Sequence, residues 1–123
     1  MTNTRFVIHD HYARRAGHHW DLRIEKDKVL KSWAIPKHRM PEKGERLLAA
    51  QTPDHPLSWY DFEGEITDTY GRGTVKILEQ EKCKIIKWKE SHIGIEFQGK
   101  KIKGIYYLIK TTGNTNWIII KGK

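Results

Sequence analysis

His11-Tyr12-Ala13-Arg14-Arg15-Ala16-Gly17-His18-His19-Trp20-Asp21-Leu22-Arg23 is the stretch on which the reading of this chain turns. From residue 18 onward it alternates with the two-residue period of a half-buried strand. His19, Asp21 and Arg23 fall on one face, Trp20, Leu22 and Ile24 on the other. Same-face neighbours on a strand stand about 6.5 Å apart, so His19 and Asp21 can share a cation at ~2.1 Å from each donor atom. His11 poses the harder geometric question. A helix over residues 11–19 would separate its ends by about 12 Å, and a strand by about 26 Å. Neither lets His11 and His19 meet. The chain must double back, and Arg14-Arg15-Ala16-Gly17 supplies a polar turn ending in the residue that most readily takes positive φ. Such a bend puts two imidazoles and a carboxylate within reach of one ion.

Working outward, the whole chain reads as one domain, 1–123, long enough to bury a core. Its 23 Lys and Arg against 15 Asp and Glu give a net charge of +8, which implies attraction to polyanions. No apolar run approaches a membrane span, and no basic amphipathic helix stands out, so a membrane partner is not expected. The first residues lack the apolar core of a signal peptide. The single cysteine, Cys83, lies between Lys82 and Lys84 in a strand-like run and reads as a buried, inert thiol. A cytoplasmic, monomeric protein is the expectation.

Short strand-like segments dominate the rest: residues 6–11, 18–25, 29–35 and 47–51, with a tight polar turn at Lys26-Asp27-Lys28. Residues 36–44 form a charged loop in which Pro36 and Pro41 exclude ladder hydrogen bonds. Residues 53–62 are irregular or one short helical turn. After Gly71 and Gly73, five further strands are predicted at 74–78, 84–89, 93–97, 102–109 and 117–120. This pattern predicts a mainly β fold, a small antiparallel β-barrel with short helical segments and loops, because closure removes vulnerable edges. Trp33, Trp88, Tyr106, Tyr107 and Trp117 are expected in the core, since strands bury aromatics. Lysines 82, 84, 87, 89, 100, 101 and 103 form a solvated face that also suits sequence-independent tracking of a phosphate backbone.

Several blocks now fall in order: Phe6-Val7-Ile8, His11 with His19-Trp20-Asp21-Leu22-Arg23-Ile24-Glu25, Leu30 to Lys37, Asp54-His55-Pro56-Leu57, Asp61 to Gly64, Tyr70 to Val75, and Asn116-Trp117. Together they resemble the 3′-phosphoesterase domain of bacterial DNA ligase D and its stand-alone archaeal relatives, over nearly the whole chain. The resemblance implies a manganese-dependent end-healing enzyme on a β-barrel. Such an enzyme removes a 3′-terminal ribonucleoside and then the 3′-phosphate from DNA or RNA–DNA primer-template ends, leaving a 3′-hydroxyl for separate ligase and polymerase proteins. It implies His11, His19 and Asp21 as metal ligands, Arg23 and His55 as the pair on the scissile phosphate, and Lys37 in the catalytic site. Arg14, Arg15, Arg46, Trp59 and Tyr60 join the candidates for substrate contact. The turn between the two metal histidines is longer than usual in the family. Trp59, followed by Tyr60, stands where the family tends to carry a phosphate-contacting Tyr. The longer N-terminal arm of ligase-fused versions is missing, which favours phosphatase activity over ribonucleoside removal.

The residues themselves support this chemistry. Two imidazoles and a carboxylate leave open positions on an octahedral ion, suiting Mn²⁺, with Zn²⁺ or another divalent cation also acceptable to the set. Arg23, two residues beyond Asp21 on the same face, can fork two hydrogen bonds onto phosphate. His55, between two prolines, is restrained as a phosphate donor or acid should be. Glu25 continues that face as a candidate outer partner holding Arg23 or a histidine. Spacing alone leaves plainer readings open. Asp21 and Arg23 can be a simple same-face ion pair, and His9, His18, His38 and His92 read as structural or solvent-exposed. Two other functions also remain: a non-catalytic nucleic-acid-binding barrel, and a non-haem iron oxygenase, which would leave Arg23, His55 and the net charge without a purpose.

Overall fold

The computed structural model describes residues 1–67 and 72–123; Tyr70 and Gly71, which carry part of the resemblance and of the strand reading, lie outside the described residues. Two runs of consecutive antiparallel strands form the molecule. The first comprises β1 (Thr2–Ala13), β2 (Gly17–Lys26), β3 (Val29–Ile35) and β4 (Leu47–His55). A single-turn 3₁₀ helix (Leu57–Asp61) and a short strand β5 (Gly64–Ile66) follow. The second run comprises β6 (Gly73–Lys89), β7 (His92–Gln98), β8 (Lys103–Lys110) and β9 (Asn116–Lys121). Pairing of β4 with β9 and of β1 with β6 joins the two runs at both seams. Eight strands thereby close into a barrel, with β5 attached to the start of β6. The fold is the expected mainly β barrel with almost no helix. No helix among the described residues is long and apolar enough to cross a membrane.

Local chemistry explains the turns. The β1–β2 hairpin has a three-residue loop, residues 14–16, closed by Gly17 at φ +73°, the conformation glycine enters without a Cβ penalty. The β2–β3 turn uses Asp27 and Lys28, both at positive φ (56° and 66°), a twist that matches the flanking strands. Where Gly73 enters β6, an added Cβ would run into the Tyr12 carbonyl, so the seam requires a bare Cα there.

One alternation of each strand fills the barrel. Phe6, Ile8, Leu22, Ile24, Trp33 and Ile35 from the first run meet Ile93, Ile95, Phe97, Leu108, Trp117 and Ile119 from the second. Trp33 sits among Trp117 and Trp88, with ring centroids 5.7 and 6.2 Å away. Each such buried side chain contributes about 1.5–3 kcal/mol relative to exposure. Cys83 lies in the same core, and burial pushes its thiol up to about 12.

Three expectations need correction. The strands read as 74–78 and 84–89 are one 17-residue strand, β6. The intervening Glu79-Gln80-Glu81-Lys82 looks like a turn, but its polar groups have distant partners. Glu79 accepts the backbone N–H groups of Lys101 and Ile102, and Gln80 donates to Tyr60 and Asp61. Strand β5 was not foreseen. Tyr107 is half-buried rather than in the core: Tyr106 and Leu108 take the inward positions and Tyr107 packs on His92 outside.

Candidate active site

The opposite alternation of β1, β2 and β3 builds a polar surface on the outside of the barrel. Paired residues of antiparallel strands share a face, and the register sets out three rows. Val7, Arg23, Ser32 and Thr52 form one row, His9, Asp21, Ala34 and Ala50 the next, and His11 with His19 the third. Although it lies outside the barrel, this patch is not bathed in water. His9 and Ser32 are fully buried, and His11, His19, Asp21 and Arg23 are 5, 7, 4 and 3 % exposed.

His11, His19 and Asp21 offer donor atoms that all lie within 4.8 Å of one another. His11 Nδ1 stands 2.9 Å from Asp21 Oδ2, and His19 Nε2 stands 3.2 Å from Asp21 Oδ1. Those separations match the ~3 Å between neighbouring ligands on an ion with bonds of ~2.1 Å at right angles. His19 Nδ1–H donates to the Gly17 carbonyl (3.1 Å), which leaves Nε2 as the ring nitrogen turned to Asp21, where it either donates a proton to the carboxylate or, once deprotonated, can hold a cation. The donor set therefore fits a divalent cation. Burial works against charge on Asp21, but hydrogen bonds from His11 and His19 and the Arg23 guanidinium outweigh it and hold the carboxyl well below its usual range. Burial also disfavours the charged form of His19, yet Asp21 raises its proton affinity above the usual value. An ionised Asp21 that raises the proton affinity of His19 favours a bound cation through the same negative field.

Arg23 completes the row beside it. Its Nε–H donates to His9 Nδ1 (3.0 Å), one Nη donates to Ser32 Oγ (2.9 Å), and the other lies 3.4 Å from Asp21 Oδ2. His9 is therefore a neutral acceptor, its pKa pushed down to about 4 by burial and by the guanidinium it receives. By sequence His9 reads as structural or exposed and Ser32 carries no mark, but both are fully buried partners of Arg23. Period-two spacing from His11, and the position of Ser32 on the outward face of β3, were the available signals.

His55 arrives from β4 through a bulge. Its partner is Leu30 whereas Thr52 faces Ser32, so β4 carries one extra residue there, next to Pro53 with no N–H to pair. His55 Nδ1 donates to the Pro53 carbonyl at 2.9 Å and lies 3.2 Å from an Arg23 Nη. Burial, then Arg23, lowers its pKa. Trp59 stands edge-on to His55 (5.0 Å between centroids), with the Arg23 guanidinium 5.6 Å from its ring. Tyr60 turns the other way. It is buried with Val7 and Leu30, and Arg5 lies 3.9 Å over its ring.

The remaining candidates are exposed or paired with another residue. Glu25 pairs with Arg5 at 2.6 Å, not with Arg23 or a histidine. Lys37 is exposed beyond the end of β3, near enough to Glu45 to help lower its pKa. Arg14 and Arg15 are exposed in the hairpin loop, and Arg46 is exposed just before β4.

The DNA Ligase D 3′-phosphoesterase domain family matches residues 9–110. The chain is 38% identical over 128 residues to the multifunctional non-homologous end joining protein LigD of Mycolicibacterium smegmatis, covering 94% of this chain and 16% of that protein. It is 40% identical over 118 residues to LigD of Mycobacterium bovis, covering 92% of this chain and 15% of that protein. It is 33% identical over 128 residues to LigD of Pseudomonas aeruginosa, covering 97% and 15%. The chain thus spans about a sixth of the length of the curated relatives it matches. A match over residues 9–110, together with these identities, means that the chain belongs to the DNA ligase D 3′-phosphoesterase domain family.

Proposed function

We propose that this protein is a metal-dependent 3′-end-healing phosphoesterase. It removes a 3′-phosphate, and a 3′-terminal ribonucleoside where one is present, from a primer strand to leave a 3′-hydroxyl during end joining. The observation that carries the reading is the buried set His11, His19 and Asp21 directly beside the tethered guanidinium of Arg23. Such a set has no structural need of two imidazoles, and it suits a dianionic ligand.

His11, His19 and Asp21 would hold the cation, expected to be Mn²⁺, and the chemistry it supplies is Lewis-acid polarisation of a non-bridging phosphoryl oxygen. Arg23 meets the same phosphoryl group. Three of its nitrogens are already fixed by His9, Ser32 and Asp21, so it needs little reorganisation as charge builds on the phosphoryl oxygens. His55, with Nδ1–H on the Pro53 carbonyl, would keep Nε2 for the phosphate. A phosphate dianion there would raise its pKa, reversing the effect of burial and Arg23, and allow it to protonate the leaving O3′. In monoester hydrolysis the water oxygen bonds to phosphorus and gives a proton to solvent, the P–O3′ bond breaks, and O3′ takes a proton from His55; in ribonucleoside removal the bond broken is P–O5′ and O5′ takes that proton. In this reading the domain acts as a monomer in the cytoplasm, and the 3′-hydroxyl it leaves serves ligase and polymerase activities.

The test is a duplex with a recessed 3′-phosphate, incubated with Mn²⁺, Zn²⁺ or EDTA and resolved by gel. Conversion to 3′-hydroxyl with Mn²⁺ and none with EDTA is expected. His11→Ala, His19→Ala and Asp21→Ala should each lower turnover by about two orders of magnitude or more while remaining folded. Salt-sensitive DNA binding without conversion would instead identify a non-catalytic binding barrel, and near-normal rates in all three variants would remove the metal assignment.

A further inference from the structure

On the side of the β1–β2 hairpin away from His11 and His19, three aromatic rings form a column. Tyr12 and His18 oppose each other across the hairpin and stack with centroids 4.0 Å apart and planes 8° from parallel. His18 stacks in turn on His38 at 3.9 Å and 22°. The Asp10 carboxylate pins His18 through Nε2 at 2.6 Å. His38 adopts a φ of +41°, costly for a residue with a Cβ, in a turn closed by its N–H on the Ile35 carbonyl. Both ends of the column remain open to solvent. Tyr12 is 54% exposed and His38 is exposed too.

The surroundings of the open Tyr12 face are positively charged. Arg14 and Arg15 occupy the hairpin loop, and the Arg14 N–H donates to the Arg72 carbonyl at 2.6 Å, holding two guanidinium-bearing residues side by side. Tyr12, His18, Arg14, Arg72 and Thr67 line one cleft, with Glu65 the acid among its described lining residues. Two cationic residues anchored through their backbones at one cleft favour an anion there. An open π-face flanked by paired cations matches the alternation of base and phosphate in a nucleic-acid strand. An acidic peptide would use the cations and leave the ring column without a purpose.

We propose that Tyr12, backed by His18 and His38, is a stacking platform for an unpaired nucleobase of the strand whose 3′ end reaches the metal centre, with Arg14 and Arg72 on the adjoining phosphates. Tyr12 directly follows His11, so the two Cα atoms are ~3.8 Å apart and the side chains lie on opposite faces. A strand bound at the centre thus passes over the hairpin tip to the platform. The identity of that strand rests on the phosphoesterase reading.

The test is fluorescence anisotropy of the full chain with Mn²⁺, using 3′-phosphorylated single-stranded oligonucleotides with an abasic residue at each position in turn. Tyr12→Ala should weaken binding about tenfold or more, and Tyr12→Trp and Tyr12→Phe should retain it. One abasic position should cost the wild type a similar factor and cost Tyr12→Ala nothing further. Wild-type affinity in Tyr12→Ala, or abasic and Tyr12→Ala losses that multiply at every position, would overturn the platform. Because binding is read separately from turnover, the two readings fail separately. A Tyr12-dependent base step without 3′-phosphatase activity removes only the phosphoesterase, whereas normal phosphatase activity with no Tyr12 effect removes only the platform.

Discussion

Among single side chains, Trp59 and Tyr60 show how little sequence adjacency says about role. Both belong to the same 3₁₀ turn, yet Trp59 faces His55 and Arg23 whereas Tyr60 is buried against Val7 and Leu30 under Arg5. Trp59→Ala should therefore raise KM or lower kcat for a 3′-phosphate duplex by roughly tenfold, the scale of a desolvated cation–π contact. Tyr60→Phe should leave both constants close to wild type; steady-state kinetics on the two variants decide between these roles. Cys83 makes a different kind of prediction. Its thiol is pushed up to about 12 by burial, while an unfolded cysteine ionises near 8.5. The folded state therefore keeps a proton that the unfolded state loses, and stability declines as pH rises from about 9 toward 12. Urea titrations across that window should show a shallower decline in Cys83→Ala, and an identical slope in both proteins would contradict the assignment.

The elements that carry the site are the β1–β2 and β2–β3 hairpins and the bulged end of β4. The β1–β2 hairpin brings His11 opposite His19 because a three-residue loop ending in Gly17 sets the register. A loop one residue longer or shorter would shift that register and separate the two rings. At the other end of β2, Lys28 holds a φ of 66° that glycine adopts at no steric cost. Lys28→Gly should stabilise the protein by about 1 kcal/mol, an Asp-Gly pair being favoured in such a turn. A higher midpoint in chemical denaturation, with unchanged phosphatase activity, is the expected result; a lower midpoint would mean that the Lys28 side chain matters more than its backbone.

As a whole, the molecule is closed by pairings between distant parts of the chain. Thr2 pairs with Ile85 and Ala13 with Gly73, so the β1–β6 seam forms only after more than half of the chain is in place. Entropy of loop closure must be spent before these contacts form, so refolding should take milliseconds to seconds, slower than a helical protein of this size. Stopped-flow tryptophan fluorescence, dominated by Trp33, Trp88 and Trp117 in the barrel, measures it, and a microsecond phase with full amplitude would contradict this. Closure also restrains the site: β1 is paired on both sides at Val7, His9 and His11, and β2 on both sides at Asp21 and Arg23.

What the chain determined locally, it determined well. Period-two alternation put His19, Asp21 and Arg23 on one face, and Arg14 to Gly17 supplied the bend that returns His11 to them, because side-chain direction and turn chemistry depend on neighbours a few residues away. Partnership across long separations was not legible. Glu79 resembles part of a turn until Lys101 and Ile102 donate to it, and Glu25 resembles a partner of Arg23 until Arg5 takes it. His9 becomes the rest for a guanidinium only once the hairpin is zipped, and Trp59 rather than Tyr60 faces His55 only because Val7 and Leu30 bury the latter. Those outcomes belong to the tertiary structure, since burial and hydrogen bonding are settled by whichever distant group closes the barrel, not by the residue next in line.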